Sequence, residues 1–332
     1  MTSARSAQGF SVGRIAVAVT ALVFTIAGCT PPREARVHAD PAPEFGDAFW
    51  HHWGDGRGEL SGYDLVTPRY GAPRHGIAVA IFVTETFSNA KRVKADPGEH
   101  PRDDEFPVMK LNLVQDFSTG IYDYNLLTSA FIALAPVNAR PAGSPTKVSF
   151  SAQEWCGHVY SQVLFDVAYA RITLHSYFDR EADSDSSLEV PPATLAEDAL
   201  ALWARGFSAP MLTPGDSAER PLLTSLRESR LLHRQVRMTM AVFRRATQPE
   251  SLTVPAGTFA AERREVAVKD GRTWTFWTER DEPHRLLKWS CSDGEEAQLL
   301  GSDRLKYWEL NAPGGEQYLA KLGLKPRPPR TP

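Results

Sequence analysis

The sequence predicts a mainly β protein, an antiparallel curved sheet or an up-and-down β-barrel in one lobe or two, with one intervening α-helix. Three observations carry this. Between residues 45 and 310 apolar and polar residues mostly alternate with period two. Clusters of Gly, Pro, Asp and Ser separate the alternating runs. One segment alone, 194–205, combines a helical period with start and stop signals.

Taken in order, residues 77–87 are a β-branched and aromatic run, the composition that fits a pleated, half-buried surface. Residues 110–134 are a long stretch broken at Ser118-Thr119-Gly120, which predicts a hairpin or meander, and 147–151 and 171–178 read as further strands. At 194–205, Thr194 and Glu197 have capping-box spacing, Leu195, Ala199, Leu202 and Trp203 form an apolar stripe, and Gly206 stands at the stop. An acidic loop at 179–189 and a Pro/Gly/Ser stretch at 208–221 flank this helix. The segment 233–245 reads as a strand, with Val236, Met238, Met240 and Val242 on one face and Gln235, Arg237 and Thr239 on the other.

From residue 251 the pattern is a meander. Val254-Pro255-Ala256-Gly257-Thr258-Phe259 reads as a turn in which proline fixes φ and glycine takes the left-handed position. Asp270-Gly271 separates 265–268 from 273–278 in the manner of a two-residue hairpin. Glu282-Pro283 and Asp293-Gly294 mark the next turns, between strands at 285–291, 297–300 and 305–310. Trp274 and Trp277, two of eight tryptophans, alternate to opposite faces, so at least one face needs cover. A helical turn or two at 316–322 precedes a Pro-rich end.

The chain has 332 residues, 42% apolar and 23% charged, enough to bury a sizeable core. Its 37 Lys+Arg against 40 Asp+Glu exclude the basic excess of a dedicated nucleic-acid binder. Residues 1–28 read as an export signal: Arg5 and Arg14 without an acid, then an apolar run at 15–26. Twelve helical residues reach about 18 Å, short of the roughly 30 Å hydrocarbon core, so cleavage is favoured over spanning. Loss of that segment removes two arginines and no acid, which takes the net charge from −3 to −5. The expected organisation is signal peptide 1–28, tether 29–45, β-rich region 46–310 and tail 311–332; the two lobes, if present, are 46–180 and 222–310, with the helix between them.

Ile26-Ala27-Gly28-Cys29 directly behind the apolar run resembles the bacterial lipobox. The resemblance implies diacylation of Cys29, which becomes the new N-terminus, and membrane attachment through more than the two acyl anchors that stable binding needs. Thr30 in place of Asp behind the cysteine implies, by resemblance to the enterobacterial sorting rule, an outer-membrane lipoprotein facing the periplasm. The proline-rich stretch at 30–45 reads as an extended spacer.

Val254–Phe259, with Phe276-Trp277 and Pro283-His284-Arg285-Leu286-Leu287-Lys288-Trp289, resembles the "VPAGTF" β domain of uncharacterised periplasmic proteins. Phe49-Trp50-His51, Gly62-Tyr63-Asp64, Glu154-Trp155-Cys156-Gly157-His158-Val159-Tyr160 and Leu305-Lys306-Tyr307-Trp308-Glu309-Leu310 resemble, more narrowly, a family of bacterial lipoproteins of unknown function. Some members carry the label "septum formation inhibitor Maf". Maf proteins are cytoplasmic α/β nucleotide pyrophosphatases with an S-x-S-P-R-type loop, which this exported, β-patterned chain lacks. The resemblance implies a fold and a location and no activity.

Four constellations have chemical content. Trp155-Cys156-Gly157-His158 is similar to the opening of a thioredoxin-type site, but Val159 stands where a resolving cysteine would be. Cys156 as nucleophile with His158 as base is one reading, and a packed segment with a structural His158 is the other. With Cys29 acylated, Cys156 and Cys291 are the remaining thiols, either bridged or separately buried. His51-His52, near Asp47 and Asp55, lack metal-ligand spacing because adjacent side chains diverge, so no metal site follows. Arg227, Arg230, Arg234, Arg237, Arg244 and Arg245 form the densest basic stretch, a surface for lipid phosphates or an acidic ligand, or else ordinary strand-end charges. Strand alternation over 233–245 divides Arg234 and Arg244 from Arg237, against a single patch.

No G-x-S-x-G, Walker loop or dinucleotide motif occurs, and no cofactor is expected. The leading expectation is a membrane-anchored protein that binds an apolar ligand, a lipid or an envelope partner. The alternative is a periplasmic hydrolase or thiol enzyme built on Cys156 and His158.

Overall fold

The computed structural model describes residues 41–326. The expected signal peptide 1–28, Cys29 and most of the 29–45 tether lie outside the described residues.

The strands are β1 (Gly58–Arg69), β2 (Ala72–Ser88), β3 (Val93–Lys94), β4 (Glu105–Thr119), β5 (Tyr122–Ala133), β6 (Pro145–Glu154), β7 (Gly157–Phe165), β8 (Tyr169–Ser176) and β9 (Ser184–Glu189). They continue with β10 (Leu195–Ala196), β11 (Ser217–Leu223), β12 (Met238–Arg245), β13 (Glu250–Val254), β14 (Gly257–Val268), β15 (Thr273–Glu279), β16 (Leu286–Cys291) and β17 (Glu296–Leu305). The α-helices are α1 (Asp47–Trp53), α2 (Leu200–Ala204) and α3 (Leu226–Leu232).

All seventeen strands join one sheet. Its order across the fold is β9-β8-β7-β6-β5-β4-β2-β1-β17-β16-β15-β14-β12-β11-β10, with β3 beside the end of β2 and β13 beside the start of β14. Every pairing is antiparallel except β10–β11. The edge strands β9 and β10 have one partner each, so the sheet curves without closing into a barrel. This is the mainly β, antiparallel curved-sheet fold that the period-two pattern predicts. The β1–β17 pairing, from Gly58↔Leu305 to Val66↔Glu296, joins residues 46–180 and 222–310 in that one sheet.

The concave face buries its apolar residues on an internal plug. Leu195, Ala199, Leu200, Leu202, Trp203 and Phe207 are all buried, in one core with Phe82, Leu111, Phe150, Phe243, Phe276 and Trp289. The 3₁₀ turn Glu197–Ala199 touches β5 and β6, and α2 touches β15, so the plug bridges the two arms of the curve.

The expected 194–205 helix is therefore corrected. Its first residues are strand β10, a 3₁₀ turn follows, and only Leu200–Ala204 is α-helical. The capping box does not form, because Glu197 is drawn away by Arg272 and Trp274 while the Thr194 hydroxyl donates to Pro191 O at 2.6 Å. Nor is it the single helix. Trp50 and Trp53, three apart, read as one docking face of a short helix, but in α1 only Trp53 is buried and Trp50 is exposed. At α3 the Ser225 hydroxyl accepts from Glu228 N, a Ser-x-x-Glu start, and His233 ends the helix at φ 53°. The strand expected at 233–245 begins only at Met238.

Three further differences concern boundaries. Part of the expected acidic loop is edge strand β9, and the strands expected at 297–300 and 305–310 are one strand, β17, followed by the 3₁₀ turn Tyr307–Glu309. Asp270-Gly271 does lie in the β14–β15 hairpin, but the loop is four residues, closed by Val268 N donating to Arg272 O at 3.0 Å. The 3₁₀ segment Gly315–Leu322 lies against the outer face of β1 and β17, where Gly62 pairs with Gly301. A Cβ at Gly62 would lie 2.3 Å from Leu322 O and one at Gly301 2.6 Å from Lys321 O, so this packing needs both glycines.

Candidate functional site

Antiparallel strands return the chain to alternate ends of the sheet. The connections after β1, β4, β6, β14 and β16, together with α3, therefore gather at one end. Between α3, the β1–β2 turn and the β14–β15 turn lies a groove of about 630 Å³. Beneath it, inside the curve, is a cavity of about 60 Å³ walled by Leu111, Leu113, Ala201, Phe276, Leu286 and Trp289. Glu197, Ser225, Arg227 and Arg272 line both spaces, so the groove and the cavity adjoin at these four residues.

Two ion-pair systems make the floor. Glu197 accepts from Arg272 Nε and Trp274 Nε1, each at 2.8 Å, and from Ser225 N at 3.0 Å. Glu295 accepts from Arg227 Nη2, from Trp289 Nε1 at 3.0 Å and from Thr67 Oγ1 at 3.1 Å. Buried charges with this many partners are structurally costly to break, which fixes the floor. Asp198 ties the plug to α3 by accepting from Ser225 Oγ at 2.6 Å and Leu226 N at 2.7 Å. Burial pushes its carboxyl up to about 6, against those hydrogen bonds, which favour the charged form.

The basic stretch falls differently from the alternation reading. Because 226–237 is a helix and a loop instead of strand, Arg227, Arg234 and Arg237 all line the groove, joined there by Arg69 and Arg272. Arg230 lies buried against Glu154 at 3.0 Å, over the Phe178 ring. Arg244 and Arg245 face away and pair with Glu265 and Glu262 across β12–β14. Arg69 and Arg272 carry no motif in the sequence: one is the arginine of the Pro68-Arg69-Tyr70-Gly71 turn and the other closes a hairpin.

Cys156 lies exposed in the β6–β7 turn beside Trp155, which is 72% exposed, so the packed Trp-Cys segment is corrected. A hydrogen bond from the thiol to Glu154, with that group's charge, holds Cys156 above the ordinary thiol range. His158 is exposed on β7, in register with Gln153. Cys291 is buried at the end of β16 and its thiol is pushed up by burial. Both cysteines are free thiols, so the bridge weighed from the sequence is absent from the structure. His51 is exposed while the His52 ring turns to Arg304 Nη1 at 2.9 Å, and the pair diverges.

The fold and groove define a class: an open, curved antiparallel β-sheet protein with an internal plug and a ligand-sized groove at one end. No family model matches the chain, and no curated protein matches it. Among solved structures it is similar to a β-barrel-like protein of the domain of unknown function DUF1849 from Brucella abortus. The identity is 10%, the coverage 75% of this chain and 98% of that one, and the TM-score 0.45.

Proposed function

We propose that the chain is a lipoprotein anchored through Cys29 to the outer membrane, facing the periplasm, and that its β domain binds an apolar ligand or lipid. The observation that supports ligand binding is the groove itself, about 630 Å³ and open at the end of the sheet, with Pro68, Tyr70, Leu231, Leu232 and Val268 along its wall. Arginines and an apolar wall side by side in one groove suit a molecule with one charged end and one apolar end. Glu154 raises the pKa of Cys156, where a nucleophilic cysteine needs it lowered, which favours the binding reading over the thiol enzyme.

Native mass spectrometry of the processed protein tests the ligand. A bound mass that organic extraction removes, with added envelope lipid restoring it and raising Tm, is the expected result. A bare protein whose Tm no envelope lipid shifts would overturn the reading.

A further inference from the structure

We infer that the groove selects an anionic amphiphile, with a phosphate or carboxylate head held by Arg69, Arg234 and Arg237 and an apolar chain laid along the wall of Pro68, Tyr70, Leu231, Leu232 and Val268. This rests on the ligand-binding reading above and names its ligand class.

Five arginines and four acids line the groove, which looks balanced. The pairing is not. Arg272 alone takes three of the acids, with Nε 2.8 Å from Glu197, Nη1 3.0 Å from Asp293 and Nη2 3.1 Å from Glu228. Arg227 is held by Glu295 from below, although its buried Nε has no partner. What remains at the mouth is Arg69, Arg234 and Arg237 against the single acid Asp270.

Arg69 is half-buried, yet its acceptors are uncharged: Tyr124 Oη at 3.0 and 3.2 Å from Nη2 and Nε, Leu231 O at 2.8 Å, and Tyr70 Oη at 3.4 Å. A guanidinium withdrawn from water without a counter-charge gains more from an incoming anion than a solvated one does. Arg234 and Arg237 are exposed, and among the described residues no carboxylate bonds either side chain. Planar guanidinium donors match phosphate and carboxylate oxygens in geometry as well as charge. Beside them Pro68, Tyr70, Leu231, Leu232 and Val268 give the same groove an apolar wall.

The test uses the protein without residues 1–28 and four probes of one chain length: decyl phosphate, decanoate, decyltrimethylammonium and decyl maltoside, titrated calorimetrically below micelle formation. At least one of the two anions is expected to bind about tenfold more tightly than the cation and the neutral glycoside, the scale of one charge-assisted hydrogen bond. The tighter anion identifies the head as phosphate or carboxylate. The exposed-site double variant Arg234→Gln/Arg237→Gln should lose that preference with Tm unchanged. Equal binding of all four probes, or a preference that survives the double variant, overturns the anionic class and leaves the ligand-binding reading standing. Binding of none of them overturns both.

Discussion

Arg205 grips Glu59 with both arms of its guanidinium, at 2.7 and 3.0 Å, across 146 residues of sequence. Both side chains are out of water, at 0% and 2% exposure. The remaining donors reach His284 O and Pro283 O, and the Phe82 ring lies 4.2 Å below the cation. The plug is thereby fastened to β1 at one end, while Asp198 and Glu197 fasten it to α3 and the β14–β15 loop at the other.

Removing one partner strands the other charge in the core. Arg205→Met and Glu59→Gln should each cost about 3–5 kcal/mol. The double variant Arg205→Met/Glu59→Gln should cost less than the sum, because no unpaired charge remains. Urea unfolding of the three variants checks this, and strict additivity would count against the pair as the fastening.

Asp198 sets a pH response. Its carboxyl is raised to about 6 in the fold, with Ser225, the Leu226 amide, Glu197 and Arg272 around it. A group with a raised folded pKa binds more protons folded than unfolded, so its contribution to stability grows as pH falls from 7 toward 5 and is lost as pH rises through 6. After allowance for partial exposure, wild type should gain about 1 kcal/mol relative to Asp198→Asn over that range. A difference between the two proteins that does not change with pH would contradict this assignment.

Strands of period two were legible because one face of each is buried in the plugged core, and alternation is the direct imprint of that geometry. The 226–232 helix was missed although Ser225 and Glu228 spell its start. Apolar alternation in 236–242 extended the strand reading backward over a loop whose residues face the groove. The groove itself follows from strand parity, since successive antiparallel strands return to alternate ends. With β1 unread and β17 divided in two, that parity was broken, and Arg69, Arg234 and Arg272 could not be placed together. Buried pairs such as Glu59–Arg205 leave no local trace at all: each residue alone reads as a surface charge.

Membrane attachment is expected to depend on Cys29, whose lipobox context is read from sequence. Cys29→Ser should move the protein from the membrane to the soluble fraction, or leave an unprocessed precursor. Intact-mass analysis of wild type should show an acylated N-terminus at Cys29. An unmodified terminus at another residue would remove the anchor from the proposed function.

Cys156 decides between the binding and thiol-enzyme classes. Exposure in the β6–β7 turn gives reagents access, but the Glu154 carboxylate accepts from the thiol and opposes its ionisation. The thiolate is the reactive form, so native labelling by iodoacetamide should be slow at neutral pH and rise only on the alkaline side of an ordinary thiol. Cys156→Ala should leave Tm within about 1 °C of wild type, since an exposed turn residue away from caps and core contributes little. Cys291, buried and with its thiol pushed up by burial, should stay unlabelled until the protein unfolds. Rapid labelling of Cys156 at neutral pH would instead mean that nearby cations outweigh Glu154, and would favour the thiol enzyme.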